Sequence, residues 1–331
     1  MASAPGSRPR LAYSTPQGRM YVGQAEDALA SSALARSRGR VQMVFTSPPF
    51  PLCREKAYGN LRGDEFAGWL ASFARPLADY LTSDGSIVLE LGNGWEPGQP
   101  TQSTAGLKAL LAFQEAAGLH LCQEFICYNP ARLPTPAEWV TIKRVRVKDA
   151  FTRVWWLSPT PHPKADNRRV LTAYSESMQR LFRRGTYNPG RRPSQHKISD
   201  GAFLADNGGA IPPNVLVPDP AEVGSAILPI PNTASKDPFP KACRDRGLAV
   251  HPARMPAALV RFFVEFLTDP GDLVLDPFAG SNTTGMVAEG LGREWLAVEA
   301  SADYAAASMA RFSPAPEPRP AAKAKRVSPA A

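Results

Sequence analysis

The sequence is poor in the residues that build metal sites and disulfide frameworks. Its 331 residues include four cysteines and four histidines; the cysteines form no CxxC pair and the histidines are scattered. Neither a zinc site nor a disulfide framework is therefore expected, and no metal is assigned. There is no run of about 18 apolar residues, which excludes a transmembrane helix. The first ten residues, MASAPGSRPR, lack the apolar core of a secretory signal, so we expect a cytoplasmic protein without membrane contact.

Acidic residues are scarce in the middle of the chain. Residues 131–197 contain fifteen Lys/Arg and four Asp/Glu, a net charge of +11, whereas the whole chain is at +8 and the remainder therefore at −3. Basic charge concentrated in this way favours a polyanionic partner. A solvated basic face is the alternative, and charge alone does not identify the polyanion.

Strand and helix patterns alternate along most of the chain. Apolar, β-branched runs predict seven strands, at residues 20–23, 41–46, 86–92, 120–128, 152–158, 272–275 and 294–298. Apolar residues at helical spacing predict helices, for example at residues 64–81, 104–117 and 256–267. This alternation is typical of an α/β protein with a doubly wound, mostly parallel sheet that is covered on both faces.

Four regions are expected. Residues 1–19 and 313–331 are rich in Pro, Ala, Ser and basic residues, and we expect a flexible N-terminus and a disordered tail. Residues 159–246 are rich in Pro, Gly, Asn and Arg but carry apolar residues at intervals, which indicates a loop-built recognition module. Residues 20–158 and 247–312 would form the catalytic and cofactor-binding domain.

The first motif is TSPPF, from Thr46 to Phe50, directly after an apolar strand. Two prolines remove two backbone donors and fix two φ angles, so the strand ends in a stiff corner with outward-pointing carbonyls. The hydroxyl of Ser47 and the ring of Phe50 would suit a planar base that bears an amino group. A Pro-Pro turn with a capping serine is the structural alternative.

The second motif is DPFAGSNTTG, from Asp276 to Gly285, between a strand and a helix. This is the shape of a nucleotide-binding corner. Met286 stands where a P-loop has its phosphate-binding lysine, and GxGxxG is absent, so the corner suits adenosine without phosphates. Glu299 ends the next strand, where an acidic residue meets ribose hydroxyls. A structural turn is the alternative.

At these residues the sequence resembles amino-group DNA methyltransferases of the permuted β class. TSPPF resembles their catalytic motif IV, DPFAGSNTTG motif I, HPARMPAALVRFF motif X and EWLAVEAS motif II. The resemblance is strongest to PvuII-type cytosine-N4 modification methylases and covers about residues 20–312. It implies the S-adenosylmethionine-dependent methyltransferase fold, with a seven-stranded sheet that has one antiparallel strand, expected at 152–158 near an edge. Strands 41–46 and 272–275 should lie side by side, central and parallel.

The resemblance also implies roles for individual residues. The catalytic set is Ser47, Pro48, Pro49, Phe50 and Glu90, with Glu90 helping to remove the proton. The S-adenosylmethionine set is Asp276, Phe278, Gly280, Ser281, Asn282, Thr283, Glu299, His251, Pro252 and Asp27. Asn282 stands where many relatives have glycine, and asparagine tolerates left-handed backbone angles. The DNA-binding set is Arg168, Arg169, Arg191, Arg192, His196 and Lys197.

The resulting hypothesis is a site-specific methyltransferase acting on double-stranded DNA. The SPP form of the catalytic motif indicates N4 of cytosine, flipped out of the duplex. We expect a monomer without an obligate protein partner, serving as the modification enzyme of a restriction-modification system. The alternatives are an adenine-N6 methyltransferase on the same scaffold and, with less support, an inactive DNA-binding regulator.

Overall fold

A computed structural model describes residues 6–49, 61, 63–129, 132–188, 190–191, 193–195, 197–199, 201, 203–217, 228–229 and 238–312. Three predicted site residues, Phe50, Arg192 and His196, lie outside the described residues, as does the predicted tail at 313–331. Among the helices described, none is long and apolar enough to cross a membrane.

A twisted sheet forms the centre of the molecule. Its strands are β1 (Arg10–Ser14), β2 (Gly18–Val22), β3 (Val41–Thr46), β4 (Leu81–Gly92), β5 (His120–Tyr128), β6 (Phe151–Ser158), β9 (Val215–Val217), β10 (Leu228–Pro229), β11 (Leu273–Asp276) and β12 (Glu294–Glu299). The order is β1-β2-β12-β11-β3-β4-β6-β5-β9-β10. Two further strands, β7 (Gly190–Arg191) and β8 (Lys197–Ile198), form a separate hairpin.

Helices cover both faces of this sheet. The described helices are α1 (Ala25–Ala30), α2 (Ser32–Ala35), α3 (Gly63–Ala71), α4 (Ala74–Tyr80), α5 (Ala105–Ala117), α6 (Glu176–Arg184), α7 (Phe239–Asp245), α8 (Ala257–Leu267), α9 (Thr283–Gly290) and α10 (Ala302–Ser308). A π-helix spans Glu138–Ile142, and 3-10 helices span Asn167–Val170 and Met309–Arg311. One core lies under α3, α4 and α5 and the other under α8, because the central strands are mostly apolar on both faces. The predicted doubly wound α/β fold is confirmed.

The predicted pairing at the centre is also confirmed. Strand β11 pairs in parallel with β3 on one side and with β12 on the other. Strand β6 is antiparallel, as predicted, and it lies between β4 and β5. Among the seven predicted strands it is second from the end, near an edge as expected, and β9 and β10 extend the sheet beyond β5. The chain returns from β5 alongside it, so β6 is antiparallel to β5, and because β5 runs parallel to β4, β6 is antiparallel to β4 as well.

The described sheet has ten strands rather than seven and two reversed strands rather than one. Strand β1 falls within the predicted flexible segment 1–19; it is ordered because Tyr13 is buried and its hydroxyl hydrogen-bonds to Ser308 at 2.7 Å. Strands β9 and β10 come from the predicted recognition module, and β9 pairs with β5. The module is therefore continuous with the sheet at that point.

The predicted helix at 64–81 is divided in two. Helix α3 ends at Ala71 and α4 begins at Ala74. The hydroxyl of Ser72 donates to the carbonyl of Trp69 at 2.6 Å, and such local side-chain bonds compete with helix continuation.

Candidate active site

The site residues lie at one edge of the sheet. Strands β3, β4, β11 and β12 are parallel, so their carboxyl ends meet at the same edge. Ser47 follows β3, Glu90 lies near the end of β4, and Asp276 and Glu299 end β11 and β12. In open α/β sheets, ligands bind in the crevice at this edge.

Ser47 and Glu90 are in direct contact. The Ser47 hydroxyl donates to Oε2 of Glu90 at 2.5 Å, across 43 residues of sequence. Burial raises the pKa of Glu90, and hydrogen bonds from Ser47 and Thr152 and the nearby charge of Arg132 offset this only in part. Since its hydroxyl hydrogen is used by Glu90, Ser47 presents its oxygen lone pairs to the partly exposed space in front of the corner.

The two sequence motifs are joined by Asp276. The hydroxyl of Thr46 donates to its Oδ1 at 2.8 Å, although 230 positions separate the two residues. Thr284 donates to Oδ2 at 2.7 Å and the backbone N–H of Phe278 donates to Oδ1 at 3.1 Å. Burial nevertheless raises the pKa of Asp276 to about 6. The two motifs are thus one structural corner.

Asn282 supports this corner from inside. It has a left-handed backbone, with φ of 52°, as the sequence predicted. Its side chain caps α9 by accepting from the N–H of Gly285 at 3.0 Å and donates to the hydroxyl of Tyr13 at 3.0 Å. The residue has 0% exposure, so its side chain cannot touch a ligand. We therefore expect Asn282 to have a structural role, in place of the predicted contact with the cofactor.

The same expectation applies to the side chains of Ser281 and Thr283, each 3% exposed. Arg311 donates to the carbonyl of Ser281 at 2.7 Å and to its hydroxyl at 3.0 Å. Arg311 therefore occupies both the carbonyl and the hydroxyl of Ser281. The sequence offered no signal for Arg311 or Tyr13, since both are distant from the motif.

Gly280 is where the corner, Glu299 and His251 meet. Its N–H donates to Oε2 of Glu299 at 2.9 Å. Its φ is +52°, and a Cβ at this position would come within 3.1 Å of the His251 ring. That ring packs edge-on against Tyr304 at 4.6 Å between centroids. The structure thus brings His251, and with it the adjacent exposed Pro252, to the predicted cofactor corner.

Phe278 and Asp27 frame the corner on its other sides. Phe278 packs edge-on against Phe73 at 5.2 Å and lies 5.7 Å from Trp69, which the sequence did not reveal as neighbours of the site. Asp27 lies on α1, directly after β2, whose last residue is paired with Glu299. Its carboxylate accepts from the N–H of Gly6 at 2.8 Å.

Comparison with known proteins identifies the family. The model of the N6/N4 methyltransferase family, described as DNA methylase, matches residues 41–310. The chain is a member of this DNA methylase family. Its methyl donor is S-adenosylmethionine, on which DNA methylases depend.

Individual relatives agree with this membership. The methylase is 41% identical to the type II methyltransferase M.PvuII of Proteus hauseri, over 93% of this chain and 86% of the relative. A solved structure of PvuII DNA methyltransferase (cytosine-N4-specific) superimposes with a TM-score of 0.70 and 36% identity, covering 93% of this chain and 90% of the other. The DNA adenine methyltransferase YhdJ of Escherichia coli K12 matches 54 residues, 16% of this chain and 18% of the relative, at 46% identity.

The corner of the methylase fits S-adenosylmethionine. It holds two carboxylates, Asp276 and Glu299, and burial raises the pKa of Glu299 as well. Carboxylates accept hydrogen bonds from ribose hydroxyls and attract a cationic sulfonium, whereas they would repel phosphate groups. The Gly280 cradle lets backbone approach the ligand closely, as an adenosine site requires.

The predicted DNA contacts separate into two groups. Arg191 and Lys197 are exposed, and they lie opposite each other on strands β7 and β8 of the hairpin. Arg168 makes two hydrogen bonds of 2.8 Å to Asp166, and Arg169 donates to the carbonyl of Thr268 at 2.8 Å. Thr268 lies shortly before β11, so Arg168 and Arg169 lie at the amino edge of the sheet, opposite the methylase site. The structure thus places them apart from the other predicted DNA contacts, and we expect them to brace the loop that enters the recognition module rather than to bind DNA.

Proposed function

We propose that this methylase transfers a methyl group to N4 of a cytosine flipped out of double-stranded DNA, as the modification enzyme of a restriction-modification system. The observation that carries the proposal is the 2.5 Å hydrogen bond from Ser47 to Glu90. It gives the corner a neutral acceptor for an amino hydrogen, backed by a carboxylate that can receive a proton. The cytosine-N4 specificity named for the PvuII structure supports the same choice.

The chemistry assigned to Ser47 follows from the electronic structure of cytosine. The N4 lone pair is delocalised into the ring, which makes the amine a poor nucleophile. Acceptors at the Ser47 hydroxyl and the Ser47–Pro49 carbonyls would draw the amino hydrogens out of the ring plane and localise the lone pair. Phe50, as the stacking partner in this proposal, would hold the ring flat against the corner.

The proton balance assigns Glu90 its role. S-adenosylmethionine supplies the methyl group from its sulfonium, so an N4–C bond forms as a C–S bond breaks. N4 then carries one proton too many. Ser47 accepts that proton while its own hydroxyl proton passes to Glu90. A pKa raised by burial makes Glu90 a better acceptor for this step.

The remaining residues take binding roles in the proposal. The donor would be held by Asp276, Glu299, the backbone of the Gly280–Thr283 turn, and by Phe278, His251, Pro252 and Asp27 around it. DNA would be read by the module 159–246, through Arg191, Arg192, His196 and Lys197. Residues 20–158 and 247–312 would be the catalytic domain. The proposal also includes a cytoplasmic location and an enzyme that acts as a monomer, on one DNA strand at a time.

Nucleoside analysis tests the target base. DNA incubated with the enzyme and methyl-labelled S-adenosylmethionine is digested and examined by mass spectrometry; we expect N4-methyldeoxycytidine. N6-methyldeoxyadenosine in its place would make the chain an adenine methyltransferase. If calorimetry detected no binding of S-adenosylmethionine, the chain would instead be an inactive DNA-binding protein.

A substitution tests the site itself. Ser47→Ala should slow single-turnover transfer about 100-fold or more, as loss of a proton-transfer group does, with little change in DNA affinity. Ser83→Ala, at an exposed position on β4, is the matched control and should keep full activity. Unchanged turnover in Ser47→Ala would remove Ser47 from the amine site.

A further inference from the structure

The connection between β5 and β6 projects from the catalytic edge of the sheet. At its base, the N–H of Asn129 donates to the carbonyl of Ala150 at 2.7 Å. The amide of Asn93 donates to Oδ1 of Asp149 at 2.8 Å, and Asn93 follows Glu90 by three residues. The loop of residues 132–149, here called the edge loop, is therefore fixed beside the site at which the target amine would react.

The edge loop has a defined shape of its own. Trp139 is 8% exposed and forms its centre. The N–H groups of Val145 and Arg146 both donate to the carbonyl of Trp139, at 2.9 and 3.2 Å. The guanidinium of Arg146 donates to the carbonyl of Pro100 at 2.6 Å. These bonds hold the tip of the loop against the rest of the catalytic edge.

The tip presents apolar and basic side chains to solvent. Residues 141–148 are all exposed. Val147 is 86% exposed, Ile142 75% and Val145 50%. Lys and Arg occupy positions 143, 144, 146 and 148 between them. An ordered segment that keeps a cluster of β-branched side chains in water marks an interaction site.

The chemistry of the tip fits DNA at a flipped nucleotide. Flipping breaks the base stack and exposes apolar base faces beside two phosphate backbones. Apolar side chains that enter an opened stack, flanked by Lys and Arg on phosphates, are how proteins stabilise such distortions. A protein partner would be less well matched, because four cations lie within six residues and the acidic Glu138 is already paired with Lys143 at 2.9 Å.

We propose that the edge loop enters the duplex at the flipped cytosine, with Ile142, Val145 and Val147 packed against the bases that flipping exposes. Arg144 and Lys148 would bind the neighbouring phosphates, while Arg146 holds the tip in place. The inference rests on the proposed function and adds to it the element that stabilises the opened duplex. It assigns the loop to target extrusion, separate from the reading of sequence by residues 159–246.

The test compares paired and unpaired targets. The apolar variant carries Ile142→Ser, Val145→Ser and Val147→Ser, and the substrate carries the sequence found methylated in DNA of a host that expresses the enzyme. We expect single-turnover transfer to fall about tenfold or more when the target cytosine is paired, because the variant no longer offsets the cost of unstacking. On a duplex with an abasic site opposite the target, the loss should shrink to within about threefold.

Two controls keep the result interpretable. Leu111→Ser, at an exposed position on α5 (63% exposed), should match the wild type on both duplexes. S-adenosylmethionine binding and thermal unfolding of the apolar variant should also match, which separates a local effect from misfolding. Arg144→Gly keeps the left-handed backbone at this position (φ 54°) and removes one cation, so it should lower the salt slope of DNA binding by about one.

The possible outcomes are distinct. Full activity of the apolar variant on the paired duplex would overturn the inference, and so would an equal loss on both duplexes. Self-association of the wild type that the apolar variant abolishes, with transfer unchanged, would assign the tip to a second copy of the chain instead. A wild-type enzyme that methylates no DNA would overturn the proposed function itself.

Discussion

Glu90 is the residue whose protonation state decides what Ser47 can do. When Glu90 is ionised, it accepts a hydrogen bond from the Ser47 hydroxyl, and the serine oxygen is then free to accept a hydrogen bond from the amino group of the base. When Glu90 is protonated, it can no longer take up the proton that methylation releases. Burial raises its pKa above the ordinary 4.5, so this switch falls closer to neutral pH than for an exposed glutamate.

The pH dependence of transfer should therefore have an acid limb above pH 4.5. Single-turnover rates should fall as the pH drops through the raised pKa, and Glu90→Gln should abolish the limb and slow transfer about 100-fold or more. Because the raised pKa means that ionising Glu90 costs folding stability as the pH rises, the glutamine variant should be no less stable at pH 7. Glu96→Gln, at an exposed residue nearby, should keep the limb. If the Glu90→Gln variant kept the same acid limb, that limb would belong to the titration of another group.

Single residues were predictable from the sequence where a motif fixes backbone and chemistry together. The left-handed Asn282 and the acidic pair Asp276 and Glu299 follow from the strand-turn-helix pattern. The partners that make Asn282 structural do not, since Tyr13 lies 269 positions away. A hydrogen bond between such distant residues is decided by tertiary packing, which local spacing does not encode.

The corner between β11 and α9 depends on the absence of a side chain at Gly280. Its N–H binds Glu299, its φ is positive, and the His251 ring lies where a Cβ would project. Backbone conformation and close approach are therefore both required at this one position. Gly118, at the end of α5, has a similar φ of +63°, but the space that a Cβ would occupy there is open, with no atom within 4 Å.

Comparing alanine at these two glycines separates the two requirements. Gly280→Ala and Gly118→Ala should each lower the free energy of unfolding by about 1–2 kcal/mol, the cost of a left-handed residue with a Cβ. Only Gly280→Ala should weaken S-adenosylmethionine binding, by about five- to tenfold if the displaced corner loses one hydrogen bond. Denaturant unfolding and calorimetry measure the two effects. Equal affinities in the two variants would show that His251 and Gly280 do not form the donor site.

Elements were predictable in proportion to their burial. Central strands such as Val41–Thr46 are buried along their whole length and mostly apolar, because helices cover both faces. The short outer strands β1, β9 and β10 escaped prediction because runs of two to five residues carry too little pattern. The antiparallel β6 and its place near one end of the seven predicted strands were recognised, whereas the pairing of β9 with β5 joins distant segments and was not predicted.

At the scale of the whole molecule, the two edges of the sheet have different tasks. The carboxyl edge carries the catalytic corner and the edge loop. The amino edge carries an ionic cluster in which Lys164 binds Asp272 at 2.7 Å and Arg169 binds Asp269 at 2.5 Å. The basic charge that the sequence concentrates in residues 131–197 is therefore divided between exposed side chains, which we propose bind DNA, and internal bracing, and a count of charges cannot separate the two.

Salt dependence of DNA binding distinguishes these two uses of basic charge. Arg191→Ala with Lys197→Ala removes two exposed cations of the hairpin, so DNA affinity should fall and the salt slope should drop by about two. Arg168→Ala is the matched control. Its side chain is 83% exposed but paired with Asp166 at the amino edge, and both affinity and slope should stay at the wild-type values. A slope that falls equally in the two proteins would mean that DNA reaches around to the amino edge, and the separation of the two edges would fail.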